Sequence, residues 1–244
     1  MAQIFGEIVE PESRAFWDDD ELDASQFQYQ LRWSGDNVMP SSIKTFLIVE
    51  GSVVSDFTRM CSVGRGENEI CIIEHGRFKA SNIYKINNDL YACLVSPDLD
   101  AKHSTEFIAT LTDFLLNAEK IITLTCQHVS SYKSDVAPIL PSFLQSLSTK
   151  SGKSPLNDVE RVKQPNIVHG IAAGVMSYAE IFELSAVLYV LYVEEFLLDS
   201  ETAMPLVKLF SAIPGSLLHD PVFKQSSFSS RVIDLYYNHL RTFK

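Results

Sequence analysis

Residues 186 to 193 read Ala-Val-Leu-Tyr-Val-Leu-Tyr-Val, with no polar residue among them. A strand wetted on one side alternates polar and apolar residues, so this run must be covered on both faces, as in the middle of an α/β sheet. The residues before it supply a cover. From His169 to Phe182, Ile171, Val175, Tyr178 and Phe182 recur at helical spacing, while Ser177 and Glu180 leave a narrow polar stripe, which predicts a mostly buried helix. Gln164-Pro165-Asn166 reads as an extended turn, because proline fixes its own φ and keeps the preceding residue out of the α region. The apolar run is too short to span a bilayer and stops at Glu194-Glu195.

Six further segments have strand patterning: Gln26 to Trp33, Thr45 to Val49, Glu69 to Glu74, Asn82 to Ile86, Leu90 to Val95 and Ile121 to Cys126. The first alternates cleanly, with Phe27, Tyr29, Leu31 and Trp33 on one face, which places it near a sheet edge. Asn87-Asn88-Asp89 suits a tight turn between antiparallel strands. Helices are expected over Val53 to Met60, from Ser104 or Thr105 to Asn117, briefly after Pro141 through Phe143, Leu144 and Leu147, from Ser200 or Glu201 to Phe210, and from Ser229 or Ser230 to Leu240. The fold class is therefore α/β, a single domain over residues 25–244 with a mixed, mostly parallel central sheet flanked by helices. Ahead of it, residues 1–24 carry Glu10, Glu12, Asp18, Asp19, Asp20, Glu21 and Asp23 and read as a flexible acidic segment.

A formal net charge of -11 argues against nucleic acid and against an anionic membrane surface, because phosphate binding needs clustered Lys and Arg. Cys61, Cys71, Cys93 and Cys126 lack metal-ligand spacing and read as reduced thiols, mostly buried, in a cytosolic protein. The opening Met-Ala-Gln-Ile-Phe-Gly-Glu has neither the basic start nor the apolar core of a signal peptide.

Catalytic signatures are incomplete. Gly152-Lys153-Ser154 resembles the end of a phosphate-binding loop, but Leu147 stands where the first glycine belongs and Pro155 follows where a helix should start. Gly64-Arg65-Gly66 has Glu69 at the third glycine position. Cys126 and His128, two apart on a strand, can share a face and so make a nucleophile with its base, or a structural histidine beside a buried thiol. His169 reads as structural too. Gly170 and Gly174, four apart on the apolar helix, suit a close neighbour. The polar strand end Gln127-His128-Val129-Ser130-Ser131-Tyr132-Lys133 stands where α/β proteins place functional groups. The connection from Ser148 to Asn166 is long, polar and carries Lys150, Lys153, Arg161 and Lys163.

Several unusual words occur in one order: residues 122 to 129 (Ile-Thr-Leu-Thr-Cys-Gln-His-Val), Tyr132-Lys133, residues 164 to 169 (Gln-Pro-Asn-Ile-Val-His), Ser177-Tyr178, and Ala186-Val187-Leu188-Tyr189 followed by Leu191-Tyr192. With Phe5-Gly6-Glu7, they make the chain resemble the proteasome assembly chaperone 1 family, most strongly over Ile121 to Val193. The resemblance implies a chaperone without catalytic activity or cofactor, working in the cytoplasm, with the nucleus and the endoplasmic reticulum surface as further places. It implies a heterodimer with proteasome assembly chaperone 2 that binds alpha subunits of the 20S proteasome, promotes the alpha ring and prevents alpha rings from dimerising. In this family the C-terminus can carry a hydrophobic residue, a tyrosine and any last residue, a tail that inserts between alpha subunits. This chain has Thr242-Phe243-Lys244 there, so the resemblance implies an auxiliary contact through Phe243. Two other classes compete: a phosphorylase- or hydrolase-like α/β enzyme, and a generic adaptor gripping an acidic partner through the Ser148 to Asn166 connection.

Overall fold

The computed structural model describes residues 28–60, 68–134 and 140–214. Along them run β1 (Gln30–Trp33), β2 (Ile43–Glu50), α1 (Ser52–Thr58), β3 (Glu69–His75), β4 (Phe78–Lys85), β5 (Leu90–Val95) and α2 (Ser104–Leu116). There follow β6 (Ala118–His128), β7 (Ser142–Ser148), β8 (Glu160–Arg161), α3 (Ile171–Ile181), β9 (Ala186–Val193) and α4 (Ser200–Ala212). All nine strands join one sheet in the order β1-β3-β4-β5-β2-β6-β9-β7-β8. Its centre, β5-β2-β6-β9, is parallel throughout. The side from β1 to β5 is antiparallel, as is β7 against β9, while β8 runs parallel to β7.

Strand β9 explains the layering. Its residues alternate between two cores: Ala186, Leu188, Val190 and Tyr192 pack with α2 and α3, and Val187, Tyr189, Leu191 and Val193 with α1 and α4. Both faces of the sheet therefore need apolar residues, which removes polar alternation from the interior strands. Each large side chain so buried contributes about 1.5–3 kcal/mol. Gly174 permits the fit between α3 and α2, since a Cβ there would lie 2.5 Å from Ile108 Cδ1.

Differences from the sequence reading have local causes. Phe143, Leu144 and Leu147 belong to β7 and not to a short helix: Phe143 and Leu147 stand opposite Tyr192 and Leu188, and β9 has a second edge to pair. The polar connection after β7 contributes β8, so the sheet has nine strands where seven are legible. The helix from His169 to Phe182 begins at Ile171 and buries one side only, because Ile181 is 75% exposed and Phe182 is exposed beside it. Tyr178 and Phe182 stack on each other with ring centroids 4.3 Å apart. Neither Ser104 nor Thr105 caps α2. A 3-10 turn, Ala101–His103, precedes it, and the Asp100 carboxylate accepts from Lys102 N–H at 3.0 Å. The edge position of β1, the tight turn closed by Asn87 Oδ1 on the N–H groups of Asp89 and Leu90, and the end of α2 at Asn117 all match the sequence reading. The acidic segment 1–24, Cys61, Gly64-Arg65-Gly66, the helix from Ser229 or Ser230, and Thr242, Phe243 and Lys244 lie outside the described residues.

Candidate functional site

The parallel strands β2, β6 and β9 run out on one side of the sheet, β2 at Glu50 opposite Thr125, and β6 and β9 three residues further on at His128 and Val193, the side of an open α/β sheet where ligands commonly sit. Helix α3 starts there without a Ser, Thr, Asp or Asn cap. Its first N–H groups would be orphaned. Glu50 answers this from the end of β2: its carboxylate accepts from Ile171 N–H and Ala172 N–H, each at 2.9 Å. The negative charge also complements the positive end of the helix dipole. Gly170, at φ 91°, makes room, since a Cβ there would collide with the Glu50 carboxylate. The place at which α/β proteins often hold a phosphate is thus filled by the chain's own side chain.

The two distinctive polar stretches meet at this end. After β6, the turn Val129–Ser131 is closed by His128, whose Nδ1 accepts from Ser130 N–H at 3.1 Å and lies 2.8 Å from Ser130 Oγ. Asn166 then ties both stretches together. Its Oδ1 accepts from Lys133 N–H at 2.7 Å, and its Nδ2 donates to the carbonyls of Lys133 and Lys163 at 2.9 and 2.8 Å. Beneath the clip, Tyr132 packs on Phe143 and Tyr192, with centroids 5.0 and 5.1 Å away, and its hydroxyl accepts from Gln145 Nε2 at 3.0 Å. The polar strand end is a braced surface feature. Around it stand exposed apolar residues: Ile167 at 74%, and Phe196 and Leu197, with the Phe196 ring 6.0 Å from that of His128.

The sequence candidates for chemistry fall into place differently. Burial pushes the Cys126 thiol up to about 12, which disfavours the thiolate that a nucleophile would need at neutral pH. Cys71 and Cys93 are raised to about 12 by the same cause. His128 spends Nδ1 on Ser130, and His169 is an exposed loop residue. Gly152 presses against β9, and Ser154 Oγ lies 2.7 Å from the Tyr189 hydroxyl while also pairing with Leu156. That hydroxyl is committed to the fold, so Gly152-Lys153-Ser154 forms a packed connection. Among the described residues no group of three or more His, Cys, Asp or Glu is placed to hold a metal ion, and no helix is long and apolar enough to cross a membrane.

Sequence reasoning missed the roles of Glu50 and Asn166. For Glu50 a signal existed: the helix opening His169-Gly170-Ile171 has no capping side chain, so an acceptor had to come from elsewhere. For the tie from Asn166 to the end of β6 the residues give none, because Lys133 lies 33 positions away.

A family model described as PAC1, Proteasome assembly chaperone 4, matches residues 79–237. Proteasome assembly chaperone 1 of Papio anubis is 40% identical over 116 residues, which are 47% of this chain and 38% of that protein. The human protein of that name is 41% identical over 86 residues, 33% of this chain and 28% of that protein. The chain spans about a third of the length of the curated relatives it matches. Among solved structures, Pyrococcus furiosus PbaA, described as an archaeal homolog of proteasome-assembly chaperone, superposes with a TM-score of 0.56 at 12% identity, covering 88% of this chain and 94% of that one. Pyrococcus furiosus PbaB, described as an archaeal proteasome activator, gives 0.54 at 10% identity over 88% and 97%. At such identities the likeness is one of fold.

Proposed function

The chain belongs to the PAC1 family of proteasome assembly chaperones, and from that premise we propose that it assists assembly of the 20S proteasome in the cytosol. The observation that carries this reading is the family match over residues 79–237, which includes both polar stretches joined by Asn166. The geometry agrees with a protein-facing role. Glu50 and Asn166 close the strand ends with internal hydrogen bonds, and the exposed side chains beside them, Ile167, Phe196 and Leu197, are apolar anchors of the kind buried at interface centres.

In finer terms, the chain pairs with a proteasome assembly chaperone 2 type partner, and the pair binds alpha subunits, favours the alpha ring and keeps rings from dimerising. Its work requires no turnover of substrate and no cofactor. Phe243 adds an auxiliary contact between alpha subunits, with Thr242 and Lys244 beside it, while the folded surface supplies most of the affinity. A phenylalanine keeps the ring of the family's tyrosine but not its hydroxyl, and one hydrogen bond is worth about 0.5–1.5 kcal/mol net. The test is binding of purified alpha subunits to the co-expressed pair. Phe243→Ala is expected to weaken binding several-fold and leave pairing with the partner chaperone intact. Unchanged binding would remove Phe243 from the interface, and failure of the unmodified pair to bind alpha subunits at all would overturn the function.

A further inference from the structure

On the α3 side of the sheet, helix α3 lies over β2, β6 and β9, and β7 and β8 continue the sheet beyond β9. A cleft of about 980 Å³ opens there and reaches as far as Lys163, Asn166 and Val168. Leu147 and Leu188, opposed across β7 and β9, lie at its base, and Met176 and Ile181 of α3 line one wall. Leu147 is 42% exposed and Ile181 75%, so the cleft offers apolar surface to solvent.

The charge is unlike the rest of the molecule. The chain carries -11 overall, yet the ionisable groups lining this cleft are Lys150, Arg161 and Lys163 against the single carboxylate of Glu180. Glu180 is already engaged, accepting from Lys150 N–H at 3.1 Å. The Lys163 ammonium lies 3.9 Å from the Glu160 carboxylate, with both side chains at least 70% exposed, a pair that water screens heavily. Strand β8 ends the sheet, so its outer backbone edge faces no other strand among the described residues. An extended peptide can pair with such an edge.

We propose that this cleft docks an acidic peptide segment with apolar anchors, supplied by a partner protein. Leucine-sized side chains enter between Leu147 and Ile181, and carboxylates meet Lys150, Arg161 and Lys163. The site is independent of the family assignment, since it rests on the cleft's own charge and shape.

The test is fluorescence anisotropy with the full chain and a fluorescein-labelled peptide of about ten residues alternating Glu and Leu, a length of about 33 Å when extended. Saturable binding is expected, weakening strongly as salt rises because exposed charges are screened within about 10 Å at 0.1 M. The double variant Arg161→Glu, Lys163→Glu is expected to lose tenfold or more, and Ile181→Ser several-fold, with melting temperatures near that of the unmodified chain. A peptide with Lys in place of Glu is expected not to bind. Equal binding of the basic peptide, equal binding by both variants, or no saturable binding would overturn the proposal. So would tighter peptide binding after Asp18→Asn, Asp19→Asn and Asp20→Asn together, which would make the chain's own acidic segment the occupant. Unchanged binding in that triple variant is the expected result.

Discussion

Replacing Leu188 by aspartate is expected to leave no cooperatively folded chain. Leu188 is fully buried in β9, hydrogen-bonded between β6 and β7, with Thr123 and Leu147 as its cross-strand neighbours. Its side chain is fully buried in the core shared with α2 and α3, whereas the cations of the adjoining cleft, Lys150, Arg161 and Lys163, are exposed residues. An uncompensated buried charge costs about 3–5 kcal/mol, added to the loss of roughly 1.5–3 kcal/mol of leucine burial. Against a total stability of about 5–15 kcal/mol, that removes most or all of the fold. The control is Leu116→Asp, at a position 52% exposed, where the change is expected to stay small. Circular dichroism and thermal melting of the two variants decide the matter. A Leu188→Asp chain that is soluble and melts cooperatively would reject the interior position of β9.

The second large effect is expected from a single methyl group. A Cβ at Gly152 would stand 2.1 Å from the Ala186 carbonyl oxygen and 2.9 Å from Thr149 Oγ1. Both belong to one hydrogen-bonded junction. Thr149 N–H donates to the Ala186 carbonyl at 3.1 Å, Ala186 N–H donates to Thr149 Oγ1 at 3.0 Å, and Gly152 N–H donates to the Thr149 carbonyl at 3.0 Å. The obstacle is backbone, which cannot swing aside as a side chain does. Gly152→Ala must therefore push the connection away from the start of β9. Overpacking of this kind costs about 1–3 kcal/mol, which for a domain of this size lowers the melting temperature by roughly 2–12 °C. Lys153→Ala next to it, on an exposed side chain, is expected to move stability by no more than about 0.5 kcal/mol. Equal melting of the two variants would show that Gly152 is not pressed on β9.

How much the sequence reveals follows from where each signal resides. The interior of the sheet was legible because burial on both faces removes polar residues from β9, and the edge position of β1 because one wet face restores alternation in Leu31 and Trp33. Strand β7 was not. Phe143, Leu144 and Leu147 fit helical spacing as well as a strand, and only the need of β9 for a second partner decides between them. The site divides in the same way. The polar end of β6 was marked by a change of composition, and the resemblance to a chaperone family added the stretch around Asn166. The bond between them was invisible, since hydrogen bonds across 33 residues leave no period in the sequence. Gly152-Lys153-Ser154 shows the reverse error risk. A glycine that suggests a phosphate cradle is there because β9 passes within contact distance, and the serine hydroxyl serves Tyr189 and Leu156.

The reading as an assembly chaperone meets its most direct test in affinity purification of the tagged full chain from its own cells, followed by quantitative mass spectrometry. The account predicts one chaperone 2 type partner in a 1:1 ratio and alpha subunits of the 20S proteasome well above background. Recovery of the chain as a stable monomer, with neither the partner chaperone nor alpha subunits enriched, would contradict it.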